Sequence, residues 1–197
     1  MRRPSSKQRR LVILTLAIVT FGIAYYAGVS HETSFRDEPA IHGVTITPPT
    51  PVPPFALTDH RGELYNEERL ADHWSLLMLD PSGTTNPSPA LIQLLQVHNR
   101  MAIHSELQRS IHYLYLAKYR EAALDESVSR LGDNIHGLQG DHRNIDETLL
   151  SFGVDTPDSD PVLYLIGPRG RLHALFTQAE DAATIAEDLT KLITSKQ

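Results

Sequence analysis

The sequence predicts an α/β domain with a mixed central sheet flanked by helices, carried behind an N-terminal transmembrane helix. Three observations lead there. From Phe55 onward, short apolar runs of strand length alternate with stretches of helical periodicity. With 41% hydrophobic residues, the 197-residue chain can bury a core for one domain plus appendages. Finally, an uncharged run, LVILTLAIVTFGIAYYAGV (11–29), stands directly behind a basic tail.

The tail MRRPSSKQRR (1–10) carries five cations and no acid. The run after it is close to the ~20 residues that cross a hydrocarbon core. Tyr25 and Tyr26 sit near its far end, where aromatic rings favour the headgroup zone. The basic flank stays cytoplasmic, which sends the rest of the chain across the membrane. The run is longer than the ~7–15-residue apolar segment of a signal peptide and lacks a small-x-small site after it. An uncleaved anchor in the inner (cytoplasmic) membrane of a bacterium is therefore expected, with the C-terminal domain in the periplasm. Residues 30–54 follow, with five prolines between Pro48 and Pro54. Proline fixes φ and disfavours helix before it, so this stretch reads as an extended, semi-rigid linker.

The folded domain is expected over 55–197. FALTDHRGELY (55–65) reads as a strand, a turn at Asp59–Gly62 and a second strand, and 66–73 as a polar turn or short helix. WSLLML (74–79) is a continuous apolar run, the pattern of a strand buried on both faces. Leu91, Leu94, Leu95, Met101 and Ala102 make a helical stripe, with His98 on the same face. IHYLYLA (111–117) is a strand, and REAALDESVSRLG (120–132) a helix ending at a glycine. NIDETLLSFG (144–153) is a helix capped by Asn144 and stopped by Gly153. PVLYLIG (161–167) and RLHALFT (171–177) form a hairpin around Pro168–Gly170, and Ala182, Ile185, Ala186, Leu189, Leu192 and Ile193 mark a last helix. A first half of βαβ and a second half of ββα is the thioredoxin arrangement.

Composition narrows the chemistry. The chain has no cysteine, which excludes disulfides, thiol redox catalysis and thiolate metal sites. Net charge is −6, and beyond the basic tail 13 basic residues face 24 acidic ones. Such a surface repels phosphate backbones, so no nucleic-acid partner is expected. No phosphate-binding loop, dinucleotide fingerprint or nucleophile elbow is present. Asp80, Ser82 and Thr84 read as turn and cap hydrogen-bonding groups rather than a base and nucleophile. Among the ten histidines, His98, His104, His112, His136 and His142 show no i, i+4 pair that would set two imidazoles on one helical face. No cofactor is expected and the protein is not expected to be an enzyme. The alternative is a metal-binding protein in which distant His and Asp residues, with His98, His136 or His142 among them, converge in the fold.

Phe55–Ala–Leu57–Thr–Asp59–His–Arg–Gly62 resembles the F-x-L-x-D-x-x-G opening of the Sco/SenC proteins. WSLLMLDPSGTTNPSP (74–89) is similar to their strand and metal loop, L-L-x-F-G-[FY]-T-x-C-P-x-x-C-P, and YLIGPRGRLHALF (164–176) to their Y-L-I-x-P-x-G hairpin. The resemblance spans about 55–193. It implies a thioredoxin-like domain and a role in cytochrome c oxidase biogenesis. It also implies copper held by two thiolates and a histidine, yet those positions fall on Thr84, Ser88 and Ser159. Hydroxyls are poor ligands for Cu(I), and Met1, Met78 and Met101 are the only methionines. The D-P-x-R-D that follows the family's second strand is matched only by Arg120–Glu121. The expectation is a Sco-like protein with no metal at the family site. It would act by touching a protein partner, either an oxidase subunit or a copper chaperone.

Overall fold

The apolar run WSLLMLD lies at the centre of the molecule as strand β4 (Trp74–Asp80), with all seven residues buried. The structure is a computed structural model that describes residues 39–82, 87–119, 132–154 and 159–196. The basic tail, the expected transmembrane helix, Thr84 and all but the last residue of the helix expected over 120–132 lie outside these. Among the described residues, no helix is long and apolar enough to cross a membrane.

Strand β5 (Ile111–Ala117) runs parallel to β4 on one side, and β7 (Val162–Gly167) antiparallel on the other. β8 (Arg171–Thr177) forms the expected hairpin with β7. Helix α1 (Pro89–Arg100) lies between β4 and β5 in the chain, and α4 (Ala182–Ser195) follows β8. These elements make up the thioredoxin arrangement that the element order predicts. Beyond β5 the sheet continues through β6 (Ile135–Gln139), then β2 (Ala56–Asp59) and β3 (Leu64–Asn66). Its other edge is β1 (Val44–Pro51), which gives eight strands in the order β1-β8-β7-β4-β5-β6-β2-β3. A short helix, α2 (Ser105–Ser110), precedes β5, and α3 (His142–Ser151) follows β6.

Side chains alternate across the central strands, so each face has its own apolar cluster. On one face, Leu76, Met78, Tyr113 and Tyr115 pack under Leu91 and Leu94 of α1 and Ile185, Leu189 and Leu192 of α4. On the other, Leu77, Leu79, Leu114 and Leu116 meet Ile145 and Leu149 of α3, with Tyr65 of β3 and Leu70 beyond it. Full burial of one such side chain contributes about 1.5–3 kcal/mol, and both helical layers rest on several.

Three expectations need correction. Residues 44–51 are not linker: they pair antiparallel with β8, and their register slips between Thr45 and Thr50. Between these pairs, four residues of β1 (46–49) stand against the single His173 of β8. Proline lacks the N–H of a ladder bond, and an edge strand with a bulge tolerates that loss. Strand β6 was not expected at all. Its sequence IHGLQ has a central glycine and little β-branching, so its strand state comes from pairing with β5 and β2 rather than local propensity. The N-cap of α3 lies three residues before the expected one, because the Asp141 carboxylate accepts the Asn144 N–H at 2.8 Å and claims that role. Gly153, with φ of 83°, ends that helix as expected.

The approach to β1 is pinned from α4. Asp188 is fully buried, and its carboxylate accepts the His42 N–H at 2.6 Å and the Gly43 N–H at 3.4 Å. Gly43 passes so close to Phe176 that a Cβ there would lie 2.4 Å from the ring.

Candidate functional site

The end of β4 is where the resemblance places the chemistry. Asp80, the last residue of β4, is fully buried. Its Oδ1 accepts the Ser82 N–H at 3.1 Å and the Ser82 hydroxyl at 2.9 Å. Its Oδ2 accepts the Tyr115 hydroxyl at 2.8 Å. Ser88, 3% exposed, is the N-cap of α1, and its Oγ accepts the Leu91 N–H at 3.1 Å. The Ser88 and Tyr115 hydroxyls stand 2.8 Å apart. Since the Tyr115 proton goes to Asp80, the Ser88 proton must go to Tyr115, giving a directed chain Ser88→Tyr115→Asp80.

That chain fixes what this end of the sheet can do. Ser88 is buried, and its proton and one lone pair are committed, so it is neither nucleophile nor soft-metal ligand. The N-cap role at the start of α1 falls to Ser88. Ser159 is half-buried and enters β7 at the same end of the sheet, where Leu79 pairs with Val162. The two described family positions, Ser88 and Ser159, offer hydroxyls, and beside Ser88 stands the Asp80 carboxylate. Cu(I) does not fit that donor set.

A second polar cluster lies where the parallel strands begin. His73 precedes β4, His112 is the second residue of β5, and His136 the second of β6. The His73 and His112 rings stack 3.5 Å apart between centroids, and His136 follows at 5.3 Å from His112. His60, in the turn after β2, lies 6.0 Å from the His136 ring. Tyr65 sits 5.5 Å from His136 and its hydroxyl is 3.3 Å from His112 Nδ1. The Arg69 guanidinium covers the Tyr65 ring at 5.1 Å.

Burial disfavours the charged form of His73, His112 and His136. Burial pushes His112 down to about 4, helped by His73, His136 and Arg69. Burial also lowers His136 and His73, against the pull of Asp59 on the first and Asp72 on the second. Asp59 is fully buried, which raises its carboxyl. The Glu63 and Arg61 N–H groups, each 2.9 Å from Oδ1, and His136 outweigh that and bring it below the ordinary range. Asp59 Oδ2 lies 3.4 Å from His136 Nδ1.

Of the histidines weighed from sequence, only His112 and His136 enter this cluster. His98 is half-buried edge-on against Tyr113 at 4.8 Å, on the opposite face, and burial lowers it. His104 and His142 are exposed. His60, His73 and Asp59 were not singled out as ligands. They meet only through strand pairing, across 77 positions for Asp59 and His136, and helical spacing carries no trace of that.

No family model matches the sequence, and no curated protein matches it by sequence. Solved structures do resemble the fold. Copper-bound yeast Sco1 superposes with a TM-score of 0.61 at 22% identity, covering 75% of this chain and 94% of that one. Copper-bound ScoI of Arabidopsis thaliana gives 0.60 at 17% identity, covering 73% and 98%. BsSco, a member of the Sco family of cytochrome c oxidase assembly proteins, gives 0.61 at 17%, covering 78% and 99%. At these identities the likeness establishes a shared thioredoxin-like fold over nearly the whole of each neighbour.

Proposed function

From that shared fold, we propose that the chain is a divergent Sco/SenC-type protein that has lost the family's copper site. It acts by protein contact in the biogenesis of a respiratory oxidase. Residues 11–29 anchor it in the inner membrane of a bacterium, and the domain from about residue 40 onward works in the periplasm. Its partner is an oxidase subunit or a copper chaperone, and it is not an enzyme.

The observation that carries this reading is the state of Ser88. A position that resembles a copper thiolate is a buried helix cap in a closed hydrogen-bond chain, on a framework that superposes on copper-bound Sco structures. The strand, the helix start and the YLIGPRGRLHALF hairpin persist while the ligand positions carry hydroxyls. A framework without its ligands supports recognition of shape over transfer of metal.

Deleting the gene in its host and measuring cytochrome c oxidase activity per unit haem tests the role. Activity should fall, and both the wild-type chain and Thr84→Ala should restore it. Unchanged activity in the deletion strain, or rescue that depends on Thr84, would overturn the proposal.

A further inference from the structure

The turn after β2 and the start of β6 bring Asp59, His60 and His136 together, with one ligand atom of each within 4.8 Å of the others. We propose that these three residues bind a divalent transition-metal ion of borderline softness, with Zn2+ as the reference case. The site lies toward the end of the sheet where the parallel strands begin, away from the loop that follows β4. It does not depend on the proposed role in oxidase biogenesis.

The site is built rather than fortuitous. Asp59 and His136 are 0% and 5% exposed, which costs stability unless their polar atoms find partners. The Arg61 and Glu63 N–H groups lock Asp59 Oδ1 and turn Oδ2 toward His136. An Asp–His hydrogen bond accounts for His136 Nδ1. It leaves the buried Nε2 of His136 with no hydrogen-bond partner among the described residues, and it does not account for His60 converging on the pair.

Two imidazoles and a carboxylate suit Zn2+, and likewise Ni2+, Fe2+ or Cu2+, better than soft Cu(I). With Zn–N and Zn–O distances of about 2.0 Å, tetrahedral ligand atoms lie about 3.3 Å apart. The three groups must therefore draw in by about 1.5 Å at most. His60 is half-buried in a turn and can supply that movement, whereas Asp59 and His136 are held. Tyr65 and His112 flank the His136 ring and would serve as the outer shell that orients it.

The test uses the full chain without a histidine tag, in detergent micelles, after EDTA treatment. Zn2+ should bind at one equivalent and raise the melting temperature, and Co2+ should show the visible bands of a four-coordinate site. His60→Gln and Asp59→Asn should each weaken Zn2+ binding by at least the ~10–100-fold that loss of a mere supporting residue costs. The Asp59→Asn change keeps the Oδ1 acceptor of the turn, so this variant should fold, and circular dichroism checks both. His142→Gln, at an exposed position, should bind like wild type. No Zn2+-dependent shift in wild type, unchanged affinity in both cluster variants, or dependence on His142 would overturn the inference.

Discussion

Ser88 uses one hydroxyl for two tasks. As N-cap it accepts the Leu91 N–H, and through Tyr115 it supports the buried Asp80 carboxylate. Ser88→Ala removes the cap and leaves Tyr115 without its donor. The expected cost is about 1–2 kcal/mol, read as a lower urea midpoint with an unchanged slope. Ser88→Thr, which keeps the cap hydroxyl, should cost less. The hydroxyl pattern around Asp80 was legible from sequence because caps and turns are local. The partner Tyr115 was not, since it arrives from the neighbouring strand, 35 positions away from Asp80.

At the scale of elements, the edge strand β1 and the interior strand β6 are the least predictable parts. β1 looks like a proline-rich linker because three prolines stand among its eight residues and outweigh the β-branched run of Val44, Thr45, Ile46 and Thr47. It is held from outside, by β8 alongside and by Asp188 of α4 reaching the His42 and Gly43 N–H groups. Asp188→Ala leaves those donors without their acceptor, a loss of about 1–3 kcal/mol. Native-state hydrogen exchange should then speed up across Val44–Pro51, while amides of β4 and β5 keep their protection. Equal acceleration in the central strands would mean that β1 is part of the global unfolding unit. The central strands, by contrast, announce themselves: WSLLMLD and IHYLYLA are too apolar to lie anywhere but between two helical layers.

For the whole molecule, the question is whether the fold can house the copper site that the resemblance implies. The triple variant Thr84→Cys, Ser88→Cys, Ser159→His places at these positions the donor types that the resemblance implies. It should take up one equivalent of Cu(I) in competition with a chromophoric chelator, where the wild-type chain does not compete. Failure of the variant to bind, with its fold intact, would mean that the three positions do not converge on one ion. Binding by the wild-type chain with equal strength would contradict the loss of the site. The soft ion keeps this readout separate from the histidine cluster, whose nitrogen and oxygen donors prefer borderline metals.

The sequence by itself determined the central β4–α1–β5 and β7–β8–α4 units and the absence of thiolates. Each of these is written in local periodicity, residue type or spacing within a few positions. Only the tertiary structure decided that a proline-rich stretch completes the sheet, that IHGLQ is a strand, and that Asp59, His60, His73, His112 and His136 face one another. The reason is physical. Edge pairing and the meeting of side chains from separate strands depend on sheet order and register, and a sequence read one segment at a time contains neither.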